Sequence, residues 1–247
     1  MNCTTPVFSD NELLSALPPA EVARLRPLLT RVRLVNGQTL HEAGERIGQV
    51  FFVEQGFVSM VAQAEGASNG VEVGLVGREG MVGLPVLLGP EAASYSHAMV
   101  QLPGCALRMS ASALRGGLDA LPVLRRLLFQ ALEVSMAQVA QTAACNGRHS
   151  LPQRLARWLL MAHDRVDGDE LALTQEFMAI MLAVRRSGVT TALGSLQAAA
   201  VVGQRRGHVT ICDRPGLEAA ACGCYGRVQA FAAAVAARTP DPVDLAA

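Results

Sequence analysis

The segment from Arg31 to Gly89 contains eleven glycines, which interrupt it every few residues. Between them lie short runs of β-branched and aromatic residues, such as Val50–Val53 and Phe57–Val61. Short apolar runs with turn signals about every 8–12 residues are typical of an antiparallel sandwich or barrel. The sequence therefore predicts an antiparallel β-domain in the first half of the chain, completed by a last strand or two and a small helix within Ser94–Ala113.

A long helix is predicted to follow this domain. Pro122 suits the first turn of a helix, and neither proline nor glycine follows it before Asn146-Gly147. One stripe of this helix is apolar at its start and small or polar further along. The stripe could pack on the β-domain, but the length of the helix favours a seam with the same helix of a second subunit. The residues predicted at this dimer interface are Leu121, Leu124, Leu128, Leu132, Ser135 and Val139.

The stretch 173–196 has the pattern of two short helices joined by a tight corner. Thr174 is placed to cap the first helix. Ala183 lies at the corner, where a positive φ would cost an alanine about 1 kcal/mol. In the second helix, three apolar residues follow the spacing i, i+4, i+7 and form one buried stripe: Val189, Leu193 and Leu196. The start of that helix then has five exposed polar residues: Arg185, Arg186, Ser187, Thr190 and Thr191.

A helix of this kind has the chemistry needed to contact the major groove of DNA. Arginine can donate two hydrogen bonds to O6 and N7 of guanine, and serine or threonine can bond to a base edge or a phosphate. The alternative is an ordinary surface helix with a cationic first turn, and two arginines alone do not exclude it. The choice between a DNA-contacting helix and an ordinary surface helix therefore depends on the neighbouring segments.

These segments are a helix before the stretch and a hairpin after it. Ser150 is placed to cap the preceding helix, whose buried face is expected to contain Leu155, Trp158, Leu159 and Ala162. After the stretch, Val201–Ile211 contains two short β-runs around an Arg-Arg-Gly turn, the usual form of a DNA-binding wing. This order of parts favours double-stranded DNA as the partner.

The distribution of charge agrees with a DNA-binding second half. The net charge is zero, and all 21 basic residues are arginine. Residues 1–120 carry 8 arginines and 11 acidic residues, whereas residues 121–247 carry 13 and 10. The positive excess therefore lies in the half that contains the two short helices. No nucleophile elbow, P-loop or HExxH occurs in the sequence, and we predict that the protein is not an enzyme.

The order of these parts resembles the Crp/Fnr family, the transcription regulators of the cyclic-AMP receptor protein and fumarate-nitrate regulator type. Four local pieces are most similar to a branch whose ligand is uncharacterised: RLARWLLMAHDRV, LTQEFMAIMLAVRRSGVT, RRGHVTICDRPGLE and ACGCY. The resemblance covers nearly the whole chain. It implies a homodimer whose two recognition helices enter successive major grooves about 34 Å apart on a pseudo-palindromic site. It also implies a signal received by the β-domain, and RNA polymerase as a partner if the protein is an activator.

The resemblance also assigns the residues that contact DNA. Base-contacting positions fall on Arg186, Ser187 and Thr191, with Thr190 beside them. Arg186 matches the family's arginine for guanine, whereas Ser187 replaces a glutamate and Thr191 replaces a second arginine. The preferred half-site should therefore differ while keeping one guanine. The residues predicted to contact phosphates are Arg185, Thr174, Arg205, Arg206 and His208.

The effector end departs from the family pattern. Members that bind cyclic AMP carry a glutamate for the ribose and an arginine for the cyclic phosphate. Here Leu84-Pro85 stand in place of the glutamate, Tyr95–His97 occupy the region of the arginine, and no arginine occurs between Arg78 and Arg108. Because the phosphate would lack its bidentate partner, we expect weak or no cyclic-nucleotide binding, and the effector stays unknown.

No cofactor and no metal site are predicted. Cys3 stands alone where the iron–sulfur members have a cysteine cluster, no CxxC pair occurs, and His163 and His208 have no spacing partner. Two lone histidines in the β-domain leave haem as a minor alternative: His41 and His97. The cysteines are expected to be reduced. A CxC pair leaves a redox regulator open: Cys222 and Cys224.

The predicted fold class is α+β, with an N-terminal antiparallel β-roll of the cyclic-nucleotide-binding jelly-roll kind, a long dimerisation helix and a C-terminal winged helix-turn-helix. The predicted parts are a β-roll sensor domain with N-terminal helices at 1–120, the dimerisation helix at 121–145, the winged helix-turn-helix DNA-binding domain at 146–228 and a C-terminal tail at 229–247.

We expect a cytoplasmic protein with no membrane partner. The N-terminus has no basic start followed by a long apolar run, and no apolar segment reaches the roughly 20 residues that span a bilayer. A different class stays open beside the DNA-binding regulator. This is a cytosolic sensor or scaffold dimer whose DNA-binding domain is degenerate.

Overall fold

The computed structural model describes residues 8–63 and 70–238, so Cys3 and the end of the predicted tail, 239–247, lie outside the described residues. The described α-helices are α1 (Glu12–Ser15), α2 (Pro19–Leu25), α3 (Ala111–Gly117), α4 (Pro122–Arg148), α5 (Leu151–His163), α6 (Gln175–Met181), α7 (Arg186–Ala198), α8 (Arg214–Ala220) and α9 (Cys224–Ala236). Short 3-10 helices cover Arg26–Leu28, Leu84–Leu88 and Leu118–Ala120.

The described strands are β1 (Thr30–Leu34), β2 (Thr39–His41), β3 (Gln49–Ala62), β4 (Val71–Val76), β5 (Met81–Val82), β6 (His97–Ser110), β7 (Glu170–Leu171), β8 (Val202–Arg205) and β9 (His208–Ile211). Six of them form the larger sheet, in which β1, β6, β3 and β4 are neighbours in that order. β2 pairs with β6, and β5 pairs with β3. The antiparallel register of β1 and β6 joins Thr30 to Arg108 and Leu34 to Gly104. This sheet confirms the predicted antiparallel β-domain.

Two of the glycines in this sheet are required by a close backbone approach. A Cβ atom on Gly104 would lie 2.0 Å from the carbonyl oxygen of Gln55, and a Cβ on Gly56 would lie 2.3 Å from that of Leu102. Gly56 also has a φ of +78°, which L side chains rarely adopt. Any side chain at these two positions would push the strands β3 and β6 apart.

The core of the β-domain gathers apolar side chains from the N-terminal helices, the sheet, α3 and the first turns of α4. Fully burying an aliphatic or aromatic side chain stabilises a fold by about 1.5–3 kcal/mol, so this cluster accounts for much of the stability of the domain. Its largest fully buried members are Leu14, Leu25, Phe52, Met81, Leu114, Leu124 and Leu128.

Asn11 is the N-cap of α1, although Ser9 and Asp10 are also cap-type residues at this position of the sequence. Its side-chain oxygen accepts from the backbone N–H of Leu14, while its Nδ2 donates to the carbonyl oxygens of Val53 (2.8 Å) and Gly80 (2.9 Å). A residue that caps the helix and also bonds to β3 and to the turn before β5 can be identified only from the folded chain.

The N-terminus of α4 is capped by a carboxylate from α2. Both oxygens of Glu21 accept backbone N–H groups, from Val123 at 2.8 Å and from Leu124 at 2.9 Å. The first N–H groups of a helix lack partners within the helix, and the N-terminal end of the helix dipole favours a negative charge. Glu21 therefore fixes the start of α4 at Pro122, the proline that the sequence predicts for the first turn.

The remaining helices pack around a small three-stranded sheet, in which β9 lies between β7 and β8. At the start of α5, the side chain of Gln153 accepts from the backbone N–H of Ser150 at 3.1 Å in a capping box. The predicted buried face of α5 is confirmed at four residues: Leu155, Trp158, Leu159 and Ala162.

The chain divides into two compact units. The described part of the first unit comprises 8–58, 76–134 and 234–238, and that of the second comprises 59–63, 70–75 and 135–233. The helix α4 is thus shared, with its first half in one unit and its second half in the other. The helix also continues through Asn146-Gly147 to Arg148, beyond the predicted end. The last helix, α9, begins before residue 229, where the sequence predicts a separate tail.

The Glu21 cap can be tested by stability measurements. We expect Glu21→Ala to lower the free energy of unfolding by about 1–2 kcal/mol, because two buried N–H groups of α4 would lose a charged acceptor. The matched control is Glu91→Ala, which removes an exposed carboxylate paired with Arg46, where the loss should be below about 1 kcal/mol. Urea unfolding followed by circular dichroism measures both. Equal losses in the two variants would refute the cap.

Candidate nucleic-acid interface

The helices α6 and α7 meet at a tight corner, as the sequence predicts. Thr174 is the N-cap of α6, and its Oγ1 accepts from the backbone N–H of Phe177 at 3.2 Å. Ala183 has a φ of +51°, so the corner does place an alanine in the left-handed region. The N–H groups of Ala183 and Val184 donate back to the carbonyls of Ile180 and Ala179, and these bonds hold the corner closed.

The two faces of α7 are arranged as predicted. Val189, Leu193 and Leu196 are buried, and the helix packs against α5 and α6. The predicted polar face is exposed at all five positions: Arg185, Arg186, Ser187, Thr190 and Thr191. Arg185 is the N-cap residue of the helix, and Arg186 is its first helical residue. Both guanidinium groups are therefore presented at the N-terminal end of the helix, the end that enters the major groove in helix-turn-helix proteins.

The threonine hydroxyls on this face are already oriented by the protein. Thr191 donates to the carbonyl of Ser187 at 3.1 Å, so its oxygen keeps lone pairs for an external donor. The hydroxyl of Thr190 lies 3.1 Å from the carbonyl of Arg186 and 2.8 Å from Oε1 of Gln175. Thr190 thus serves mainly to position α7 on α6.

Gln175 is a residue that the sequence analysis missed. Its Oε1 accepts from Thr190, and its Nε2 donates to Oε1 of Gln204 in β8 at 3.2 Å. One side chain therefore joins the start of α6, the recognition helix and the hairpin. A glutamine next to a helix cap gives no local signal for such a role, because its partners lie 15 and 29 residues away along the chain.

The hairpin has the predicted form. β8 and β9 pair from Val202–Ile211 to Arg205–His208, and Gly207 takes the positive φ (+77°) that the tight turn needs. Arg205 and Arg206 are exposed at its tip. His208 is also exposed, and its Nδ1 lies 3.0 Å from the carboxylate of Glu170. Among the described residues, no ion pair includes the four arginines available to DNA: Arg185, Arg186, Arg205 and Arg206.

Two further arginines hold the helices of this unit together. Arg154 of α5 donates to the carbonyl of Leu182 at 2.6 Å and to Oδ1 of Asn146 at 3.0 Å, which anchors the corner before α7. Arg214, at the start of α8, bonds to Asp164 at 2.7 Å and to Tyr225 at 2.6 Å. Burial and the Asp164 carboxylate raise the pKa of Tyr225 to about 12, so its hydroxyl stays protonated and donates within this cluster.

The long helix α4 differs from its predicted role at several positions. Leu121, Leu124 and Leu128 are buried in the core of the β-domain, so a partner helix could not contact them, and the predicted dimer interface is corrected there. Leu132 and Ser135 are partly buried, and Val139 is 40% exposed. Two apolar residues that the prediction omitted are more exposed than any of these: Phe129 at 44% and Met136 at 66%.

The structure places the β-domain residues that the sequence singles out for effector or haem binding as follows. The side chain of Leu84 is buried in the core, and Tyr95 is 90% exposed. His97 pairs with Glu42 at 2.6 Å. His41 is buried, with its Nε2 at 2.8 Å from the carbonyl of Gln49. Each of the two histidines therefore already has a protein partner.

Four ligand-type side chains meet in the second unit, where the sequence predicts no metal site. The ligand atoms of Cys145, His149, Cys222 and Cys224 all lie within 4.8 Å of one another. Burial and the contact with Cys222 raise the pKa of the Cys145 thiol to about 12, and burial also raises the pKa of Cys224. Protonated thiols are poor nucleophiles, which disfavours the redox role considered for Cys222 and Cys224.

Comparison with known proteins agrees with this geometry. Residues 153–220 match the family model of the Crp-like helix-turn-helix domain. The fold is similar to CLP, a c-di-GMP responsive global regulator of Xanthomonas campestris, with a TM-score of 0.63 and 17% identity over 79% of this chain and 100% of that chain. It is also similar to FixK2 from Bradyrhizobium japonicum, with a TM-score of 0.67 and 16% identity over 78% of this chain and 98% of that one.

A third similar structure is a putative transcriptional regulator of the crp/fnr family from Eubacterium rectale, with a TM-score of 0.64 and 17% identity over 85% of this chain and 97% of that chain. Comparison with curated protein sequences gave no match. The matched family model identifies a helix-turn-helix domain, which is a DNA-binding motif. Residues 153–220 are therefore a Crp-like helix-turn-helix domain, and the fold of the chain is similar to those of these three solved structures. Within its described residues, no helix is long and apolar enough to cross a bilayer.

A buried carboxyl group lies behind the DNA-binding helices. Glu72 of β4 accepts from Nε1 of Trp158 at 2.7 Å and from Oγ of Ser59 at 2.7 Å. Burial raises the pKa of Glu72 to about 7, although these hydrogen bonds and the positive charges of Arg165 and Arg157 act in the opposite direction. Near neutral pH, the burial of this group therefore affects the stability of the protein.

The stability of the protein should fall as the pH rises from 4.5 to about 7, because of Glu72. Between pH 4.5, the usual pKa, and about 7, the folded state holds a proton that the unfolded state has lost, so the free energy of unfolding falls by about 1–3 kcal/mol. Glu72→Gln should remove this loss, because the amide resembles the protonated carboxyl. Urea unfolding at pH 5 and pH 8, followed by the fluorescence of the single tryptophan, measures the effect.

The matched control for this measurement is Glu176→Gln on the exposed face of α6, which should keep the pH dependence of the parent protein. If Glu72→Gln and the parent lose stability equally between the two pH values, Glu72 does not titrate in this range.

Proposed function

We propose that this DNA-binding regulator binds a pseudo-palindromic site as a homodimer and that Arg186, Ser187 and Thr191 contact base edges. The observation that carries the proposal is the set of exposed polar residues at the N-terminal end of α7, beside a basic hairpin. Arg186 would donate to guanine, while the oriented oxygen of Thr191 can accept from a base amine. Arg185, Arg205 and Arg206 would contact phosphates, which positions the protein without selecting a sequence.

Three of the predicted DNA contacts have a more limited part in this proposal. Thr190 is tied to Gln175, so its effect on base contacts would be mainly indirect. Thr174 uses its oxygen to cap α6, but its hydroxyl hydrogen can still donate to a phosphate. The Nδ1 atom of His208 lies 3.0 Å from the carboxylate of Glu170, so this ring is less available to a phosphate than the two arginines at the hairpin tip.

We place the dimer seam on the exposed apolar residues of α4. Phe129, Leu132, Met136 and Val139 follow spacings of three, four and three residues, the repeat of a coiled-coil seam. A large exposed apolar side chain such as Met136 would gain about 1.5–3 kcal/mol on burial against a partner helix. Compared with the seam predicted from the sequence, this one omits the three buried leucines and adds Phe129 and Met136. It keeps Leu132 and Val139, and Ser135 lies beside it.

We also propose that the β-domain does not bind cyclic AMP. Leu84 fills the position of the ribose-binding glutamate with a buried apolar side chain, and no arginine occurs between Arg78 and Arg108 to bind the phosphate. A buried phosphate without a cationic or N–H partner would be strongly disfavoured.

The roles of the arginines can be separated by binding measurements. A preferred duplex is first selected from random DNA, and fluorescence anisotropy then gives affinity for this duplex and for a scrambled one. We expect Arg186→Ala to lose about 1–3 kcal/mol on the selected duplex and little on the scrambled one. Arg205→Ala should weaken both equally and reduce the slope of log affinity against log salt by about one.

The control for this experiment is Arg227→Ala, an exposed arginine on α9 far along the chain from the hairpin, which should leave both affinities unchanged. If Arg186→Ala does not alter binding to either duplex, the assignment of base contacts to the start of α7 is wrong.

The seam is tested by sedimentation of Met136→Glu. A buried charge on each helix, facing its own copy, should shift the protein from dimer to monomer and weaken binding to the two-half-site duplex. Ser112→Glu introduces the same charge on the exposed face of α3 and should leave the dimer intact. A dimer that persists in Met136→Glu at low micromolar concentration would place the interface elsewhere.

A further inference from the structure

The four side chains that meet in the second unit come from two distant parts of the chain. Cys145 lies in the last turn of α4, and His149 follows the end of that helix. Cys222 lies between α8 and α9, and Cys224 is the first residue of α9. Cys145 and His149 are four residues apart, with the N–H of His149 bonded to the carbonyl of Cys145, so their side chains project from the same side of one helical turn.

The distances between donor atoms suit a four-coordinate metal ion. Sγ of Cys145 lies 3.4 Å from Sγ of Cys222, and Sγ of Cys224 lies 3.5 Å from Nδ1 of His149. A tetrahedral zinc ion with usual bond lengths separates two sulfur ligands by roughly 3.8 Å and a sulfur from a nitrogen by roughly 3.5 Å. These two separations differ from the tetrahedral values by less than half an ångström, and no pair of the four donors is more than 4.8 Å apart, so the donors need to move by at most about 1 Å to surround one ion.

The composition of the cluster points to a thiophilic divalent ion. Three thiolates and one imidazole form a Cys3His set, which is typical of structural zinc sites, whereas magnesium and calcium prefer oxygen ligands. A disulfide would use only two of the three cysteines and would leave the histidine without a part. The three cysteines are buried, and four protein donors leave no open position for a substrate. Such a site is structural or regulatory.

The surroundings of the cluster also favour a bound metal. Gln141 donates from Nε2 to Sγ of Cys224 at 3.0 Å, as outer-shell residues do for metal thiolates. Arg157 is 5% exposed, and its positive charge acts on Cys145. Among the described residues its Nε has no hydrogen-bond partner, and no ion pair includes it. A divalent ion with three thiolates carries one net negative charge, which the buried guanidinium would partly neutralise.

We propose that Cys145, His149, Cys222 and Cys224 bind one zinc ion in a closed four-coordinate site. Binding releases the three thiol protons to solvent, and the oxidation states of sulfur and zinc do not change. The recognition helix and the hairpin both lie in the chain between the two pairs of ligands. The ion would therefore close this loop and stabilise the DNA-binding unit against unfolding.

The experiment uses the full-length protein, purified under reducing conditions. Elemental analysis after incubation with zinc and removal of excess metal should give one ion per chain. Replacement by cobalt should give the strong sulfur-to-metal absorption and the visible bands of a tetrahedral thiolate site. Cys222→Ser and Cys224→Ser should lose both signals. Cys212→Ser, which removes an exposed cysteine outside the cluster, should keep them.

A second variant covers the case in which loss of a ligand unfolds the protein. Gln141→Ala keeps all four ligands and should weaken zinc affinity by about 10- to 100-fold in competition with a coloured chelator. The proposal is overturned if the parent protein binds no cobalt, if the cobalt spectrum lacks thiolate absorption, or if Cys212→Ser reduces metal content as much as Cys222→Ser. These readouts do not depend on DNA binding, so they are separate from the test of the DNA contacts.

Discussion

The packing of Leu121, Leu124 and Leu128 in the β-domain core decides how the helix α4 is oriented. Each residue turns an α-helix by about 100°, so once these leucines face the core, every other position on the helix has a fixed direction. Phe129 then lies about 140° away from Leu124 and is left exposed. The exposed seam therefore follows from the internal packing, and the carboxylate of Glu21 fixes the turn at which the helix begins.

The DNA-binding residues depend in a similar way on contacts that do not themselves touch DNA. Val189 and Leu193 bury one side of α7, so Arg186 and Ser187 must project from the other. Arg154 holds the corner before the helix by its bond to the carbonyl of Leu182. Because these supports are satisfied within the protein, the backbone of α7 would need little rearrangement if a duplex binds as we propose. Such preorganisation lowers the entropic cost of binding.

Local features could be predicted from the sequence because their causes are local. The cap at Thr174, the strained corner at Ala183, the faces of α7 and the hairpin turn at Gly207 each follow from residue type and spacing over a few residues. The antiparallel sheet also follows from the glycine-separated runs. The dimer stripe was only partly predictable, because a repeat of three and four residues fits two faces of α4, one facing the core and one facing outward.

Other features arise only when distant residues meet. Asn11 bonds to carbonyl groups 42 and 69 residues away, and Glu21 caps a helix more than 100 residues further along the chain. Cys145 meets Cys222 across 77 residues, so this cluster of ligand-type side chains forms without any CxxC pair in the sequence. A sequence motif such as CxxC detects a metal site only when its ligands are close together in the chain and follow a known spacing.

The β-domain and the DNA-binding unit differ in whether they carry the binding residues that the resemblance predicts for them. In the β-domain, an apolar core residue, Leu84, stands where a nucleotide contact would be, and His41 and His97 are occupied by protein partners. The DNA-binding unit instead combines uncompensated arginines on its exposed face with two buried groups whose charge depends on their surroundings, Glu72 and Cys145. Burial makes the ionised forms of both groups costly, so proton binding at Glu72, and zinc binding at Cys145 in the proposed site, would each change the stability of the unit that holds α7. The stability of the DNA-binding unit is therefore more directly open to chemical control than the nucleotide position of the β-domain.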